Sequence, residues 1–146
     1  MYKILLVFVA FLLFSCNSQK KYSDFDISYS RSGGFAPVYE NFLIKGNNVF
    51  YSLEENGKKS EKSFTISEEE LKDIHDVLSE NNFRFIQEDH KKVYDRISTS
   101  IVVKTGPNSG SKSDASFIRS SDSAKWENIL DTFRKIIDSK VNPSQH

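Results

Sequence analysis

Between Asp122 and Ser139 the apolar residues Trp126, Ile129, Leu130, Phe133, Ile136 and Ile137 recur at i, i+3, i+4 and i+7. That spacing is one face of a helix, and Pro143 marks its end. Burying six such side chains is worth roughly 9–18 kcal/mol gross, at ~1.5–3 kcal/mol each. The helix therefore needs an apolar surface broad enough to cover its stripe. Alternating segments elsewhere supply one. Phe25-Asp26-Ile27-Ser28-Tyr29 has the period of a half-buried strand, and Ile97, Thr99, Ile101 and Val103 alternate as a β-branched strand. The sheet faces carrying Phe25, Ile27, Tyr29, Ile101 and Phe117 are the expected partners of the helix.

The remaining elements follow from turns and caps. Val38–Lys45 reads as a strand, Gly46-Asn47-Asn48 as a turn and Val49–Glu54 as a further strand. Asn56-Gly57 is a strong two-residue hairpin signal and leads into a polar strand ending at Phe64-Thr65-Ile66. Ser67 and Glu70 form a capping box, with Ile66 and Leu71 at the positions of a hydrophobic staple. Leu71, Ile74, Val77 and Leu78 are the buried stripe of this first helix. It ends near Asn81-Asn82, after which Phe83 and Phe85 are expected to re-enter the core. Gln87–Asp95 is a charged connection, Gly106–Ser111 a flexible hairpin loop and Ala115–Ile118 the last strand. The expected class is α+β: an antiparallel sheet of about six strands in the order ββββ-α-ββ-α, with two amphipathic helices on one face. By parity the other face carries Tyr39, Leu43, Phe50, Val102 and Ile118. Either a bulge or register shift turns some of these inward, or the face is an apolar patch for a partner.

The N-terminus adds an address. Lys3 precedes an apolar run, Ile4–Phe14, that is too short to span a bilayer: eleven residues make roughly 16 Å of helix where about 30 Å is needed. A basic start, a short apolar core and a small residue before the cut are the parts of a signal peptide. The ending Leu13-Phe14-Ser15-Cys16 resembles the lipobox of bacterial lipoproteins. That resemblance implies cleavage before Cys16, lipidation of its sulfur and anchoring to a membrane. Residues 1–15 are then the signal, 16–23 the lipidated N-terminus and tether, 24–140 one α+β domain and 141–146 a tail. Asn17 is not the aspartate that resembles an inner-membrane retention signal, so the expected place is the outer membrane, facing the periplasm.

Composition narrows the function classes. Lys+Arg and Asp+Glu both number 20, and loss of Lys3 with the signal leaves a formal charge of −1. Nucleic acid requires a basic face, so it is not an expected partner. The single Cys16 excludes an intrachain disulfide. The histidines are His75, His90 and His146, and neither spaced Cys/His ligands nor His-Glu-x-x-His occurs. Neither a metal nor another cofactor is expected. Gly106–Ser111 lacks nucleophile-elbow spacing, and Glu68, Glu69 and Glu70 suit a helix dipole better than acid–base work. No catalytic residues are assigned, and the chain is read as non-enzymatic.

Ser32-Gly33-Gly34-Phe35-Ala36-Pro37 is a shaped loop, with glycines that permit unusual backbone angles and Phe35 at its tip or tucked beneath. With the preceding Ile27-Ser28-Tyr29-Ser30-Arg31, it resembles the opening of emfourin-type proteins, small inhibitors of thermolysin-like metallopeptidases. The order of the later elements is similar too, and the layout also resembles small envelope lipoproteins. Pro37 departs from the pattern, which tends to another glycine there. The meander from Val38 to Thr65 is longer than in a minimal inhibitor. The resemblance implies a binding module that presents Ser32, Gly33, Gly34, Phe35 and Ala36 to a metallopeptidase or another envelope protein. The alternatives are a turn that merely buries one aromatic, and a structural or assembly lipoprotein that uses its sheet face.

Overall fold

A computed structural model describes residues 23–91 and 93–143. The signal segment, Cys16, the tether before Ser23 and His146 lie outside the described residues. Six strands form one antiparallel sheet: β1 (Ile27–Gly33), β2 (Val38–Lys45), β3 (Asn48–Glu55), β4 (Lys58–Thr65), β5 (Ile97–Val103) and β6 (Gly110–Ser113). Their spatial order is β4-β3-β2-β1-β5-β6. Helix α1 (Glu68–Glu80) carries the chain from one edge to the other, and α2 (Ser123–Val141) closes it. The α+β class and the element order are those expected from the sequence.

Register decides the two faces. The pairs Tyr29↔Phe42, Tyr29↔Ile101 and Phe42↔Tyr51 align one apolar row across four strands. These side chains meet the stripe of α2, and all six stripe residues are buried. Phe133 stacks on Tyr29 at 5.3 Å between ring centroids and meets Phe42 edge-on at 6.4 Å, the geometries that aromatic quadrupoles favour. Ile74, Leu78 and Phe83 complete the core beneath α1.

Several expectations change in detail. β1 starts at Ile27 instead of Phe25 and runs through Ser32 and Gly33. Phe25 lies under the Lys104 ammonium, 3.9 Å from its ring centroid, and is not part of the core. Phe83–Phe85 is a single 3-10 turn, in which residues three apart share a face. Phe83 and Ile86 are therefore buried, and Phe85 is 74% exposed. The last strand is Gly110–Ser113, not Ala115–Ile118. An edge strand needs backbone pairing more than apolar side chains, and the Asp114 carboxylate takes the Thr99 N–H where the ladder would otherwise continue. Phe117, expected to face the helix, is 46% exposed with φ +69°. Ile118 forms an isolated bridge with Glu88 and packs inward. Val141, assigned to the tail, ends α2 and touches the core.

The capping box is formed as read. Ser67 Oγ accepts from Glu70 N–H at 3.0 Å, and Glu70 Oε2 accepts from Ser67 N–H at 2.7 Å. Lys140 on α2 reaches Glu70 Oε2 at 3.0 Å, so the cap also clamps the two helices. Partial burial pushes the Glu70 pKa up, but the Ser67 N–H and Lys140 outweigh it, and the net shift is below the usual 4.5. A carboxyl lowered in the folded state stabilises above its unfolded pKa. That contribution is lost as pH falls through the folded value. Lys140→Met should thus lower the urea midpoint at neutral pH, and its difference from wild type should shrink as the medium is acidified below 4.5. A difference that persists unchanged in acid would contradict this coupling. Ser67→Ala should cost about 1 kcal/mol in the same assay.

Candidate functional site: the hairpin end of the sheet

The residues expected to bind a partner divide between strand and turn. Ser32 and Gly33 finish β1, and the turn proper is Gly34–Pro37. Gly33 has φ +108° and Gly34 φ +92°. A Cβ on Gly33 would lie 2.6 Å from Arg96 O, and one on Gly34 would lie 3.1 Å from Ile97 Cγ1. The turn is pressed against the start of β5, and glycine is required for both backbone angle and close approach. Phe35 at the tip is 90% exposed. The alternative of a turn that buries its aromatic is therefore excluded by the structure.

The stalk beneath the tip is stiff. Arg31 and Glu40 are cross-strand partners, and Arg31 NH1 donates to Glu40 Oε2 at 3.0 Å. Tyr51 OH donates to Glu40 Oε1 at 2.9 Å. Burial, followed by the Glu40 charge and its hydrogen bond, raises the Tyr51 phenol well above its usual pKa. It stays a donor throughout the physiological range. Tyr29, one pair further down, is also raised, first by burial and then by Glu40. Its hydroxyl is buried without a hydrogen-bond partner, although Arg134 is near enough to act on it electrostatically.

Asp114 ties this end to the helix layer. Its carboxylate accepts from Thr99 N–H at 2.7 Å and from Trp126 Nε1–H at 3.1 Å, with Arg96 NH2 at 3.8 Å. Arg96 lies over the Phe117 ring at 4.4 Å, a cation–π distance. Contacts thus run from the tip glycine through Arg96 and Asp114 to Trp126. The sequence singles out Phe117 only as a core residue, and neither Arg96 nor Asp114. The three are separated in the chain by a strand, a loop and an edge strand, and single-sequence periodicity carries no signal for that proximity.

Large apolar side chains gather here. Among the described residues six are exposed: Phe35, Tyr39, Phe85, Tyr94, Ile97 and Phe117. Tyr39 pairs with Ser32 and Ile97 with Gly33, Phe117 touches Arg96, and Tyr94 lies two residues before Arg96. Phe35, Tyr39, Ile97 and Phe117 thus stand at the hairpin end, with Tyr39 and Ile97 on opposite faces of the sheet. On the outer sheet face Val102, Ser28, Leu43 and Phe50 share one cross-strand row, with Tyr39 on the same face. Four of the five apolar residues that parity placed there thus stand there, and Ile118 alone turns inward; Ser30, Ser32, Ser98 and Ser100 fill the remaining outward positions of β1 and β5. His75 stands exposed on α1. His90 and Glu88 line a cleft beside β6, and among the described residues no hydrogen bond orients that imidazole. No group of three metal-ligating side chains occurs among the described residues, and no described helix is long and apolar enough to cross a membrane.

With this geometry in place, the comparisons give no family: the chain matches no protein-family model and no curated protein at a significant level.

Two substitutions test the construction of the site. Gly33→Ala forces a clash with Arg96 O and should destabilise the domain by about 1–3 kcal/mol in urea. Asp114→Ala strands the Thr99 and Trp126 donors and should cost about 2–4 kcal/mol, with Asp114→Asn costing less. Changes of a few tenths of a kcal/mol would mean that neither contact holds the hairpin end in place.

Proposed function

We propose that the protein is a lipid-anchored envelope binding module, without chemistry of its own, that offers the Gly34-Phe35-Ala36-Pro37 tip to a protein partner. The carrying observation is that Phe35, a large apolar side chain at the tip of the turn, is 90% exposed. A phenylalanine 90% in water gains nothing from folding, and aromatic anchors of this kind dominate many interfaces. The stiff stalk lowers the ordering cost of binding.

The geometry also suits a tethered protein. The described chain enters at Ser23, where Lys104 Nζ donates to the Ser23 carbonyl, beside the start of β1. The tip lies at the other end of β1, roughly 20 Å away at ~3.3 Å per residue. Outer-membrane delivery facing the periplasm belongs to the same proposal, and the resemblance of Ile27–Ala36 to emfourin-type inhibitors makes a thermolysin-like metallopeptidase the first partner to try.

In such an assay the full-length protein should inhibit the peptidase, and Phe35→Asp should weaken inhibition about tenfold or more with an unchanged urea midpoint. Absence of inhibition across several such peptidases by folded protein would sink the inhibitor reading. Mass spectrometry of the mature N-terminus should find acyl chains on Cys16; an unmodified thiol would refute the anchor.

A further inference from the structure

The edge of the sheet opposite β4 holds a second feature. A cleft of about 410 Å³ lies between β6 and the segment that follows the 3-10 turn, with buried Ile86 at its base and Glu88, His90, Ser111, Lys112 and Arg119 around it. Its size is that of a small-molecule site. Its walls are fixed by backbone bonds. Asp89 N–H donates to Phe117 O and Arg119 N–H to Gln87 O, both at 2.9 Å, on either side of the Glu88–Ile118 bridge. Ser113 N–H donates to Glu88 Oε1 at 2.7 Å, which joins this short ladder to β6. Backbone groups alternate sides along an antiparallel strand. The N–H of Ser111, two residues before Ser113, therefore also points away from β5 and toward the cleft.

The cleft is rich in unused donors. The side chains of Lys112 and His90 make no hydrogen bond or ion pair among the described residues. Arg119 NH1 is held at 2.8 Å by the neutral amide oxygen of Gln87, so its charge is oriented but not neutralised. Glu88 is the lining carboxylate, and one of its oxygens is taken by Ser113. Asp122, the acid nearest to Arg119 in the chain, is already occupied by Lys125 at 2.8 Å and Gln87 N–H at 3.1 Å. Lys112 is half-buried, its stem covered while the ammonium reaches water. Donors converging from three chain segments suit a tetrahedral oxyanion, with charge-assisted bonds from Arg and Lys.

We propose that this cleft binds a phosphate group carried on a small organic body. Lys112 and Arg119 supply the charge and Ser111 N–H a backbone donor. The proposal does not depend on the function assigned to Phe35. The phosphate has two sources of the same chemistry, a soluble phosphate ester or a phospholipid headgroup. The second is within geometric reach. Ser111 pairs with Val102, and Val102 with Ser28 near the start of β1, which puts the cleft in the half of the domain closer to Ser23.

The test is titration of the full-length chain in non-ionic detergent with inorganic phosphate at constant ionic strength, followed by ¹H–¹⁵N spectra. Saturable shifts should be confined to Gln87–His90, Ser111, Lys112 and Arg119. Lys112→Gln and Arg119→Gln should each weaken binding about tenfold while Trp126 fluorescence stays that of the folded protein. Acetate should bind more weakly than phosphate. Lys112-dependent binding to phosphatidylcholine vesicles that contain phosphatidylglycerol, over vesicles that lack it, would assign the headgroup. Binding of free phosphate without that difference would assign a soluble ester. Absence of saturable shifts together with absence of a Lys112-dependent vesicle difference would overturn the proposal. So would acetate binding as tight as phosphate, or shifts unchanged in both variants.

Discussion

Phe133 packs on the sheet's two central aromatics, stacked on Tyr29 and edge-on to Phe42. Everything else in the domain is arranged so that this layer stays dry. The stripe of α2 lies across the middle of the sheet, α1 fills in beside it, and the strands must hold a register that keeps Tyr29, Phe42, Tyr51 and Ile101 on one row. A slip of one residue would reverse every one of those side chains. Helix α2 and the four paired strands are thus one cooperative constraint, and the hairpin end and the edge cleft are built where that constraint stops.

At the hairpin end the core gives way to polar fastenings. The Arg31–Glu40–Tyr51 network and the Asp114 carboxylate stand where apolar cover runs out. A charge there is costly if unpaired, so the bonds must form in one geometry. They thereby locate the glycine turn against Arg96. The same principle works in reverse at the other edge. There Lys112 and Arg119 line a cleft whose lining carboxylate is Glu88, and the proposed phosphate site rests on that excess of donors.

Much of this was legible in the chain. The capping box at Ser67 and Glu70, the Asn56-Gly57 turn and the α2 stripe are local patterns whose physics is complete within a few residues. The Gly33-Gly34-Phe35 turn was legible as a shaped loop, though not the direction of its aromatic. Phe35 is exposed because Gly34 lies against Ile97 and Gly33 against the Arg96 backbone, contacts with residues sixty positions away. β6 was misplaced because Gly110–Ser113 has no apolar alternation to read. Phe85 and Phe117 were counted as core because they are aromatic, whereas a 3-10 turn and a left-handed backbone turn them outward.

By itself the sequence determined the class of fold, the order of its elements and the lipobox-like start at Cys16, since periodicity, caps and turns are short-range. Only tertiary structure decided which aromatics are buried, that Phe35 stands exposed at the tip of its turn, and that Lys112 and Arg119 share a cleft. Those outcomes depend on strand register and on which distant segments meet. A single chain read in order carries the propensity for each element, but not the distances between them.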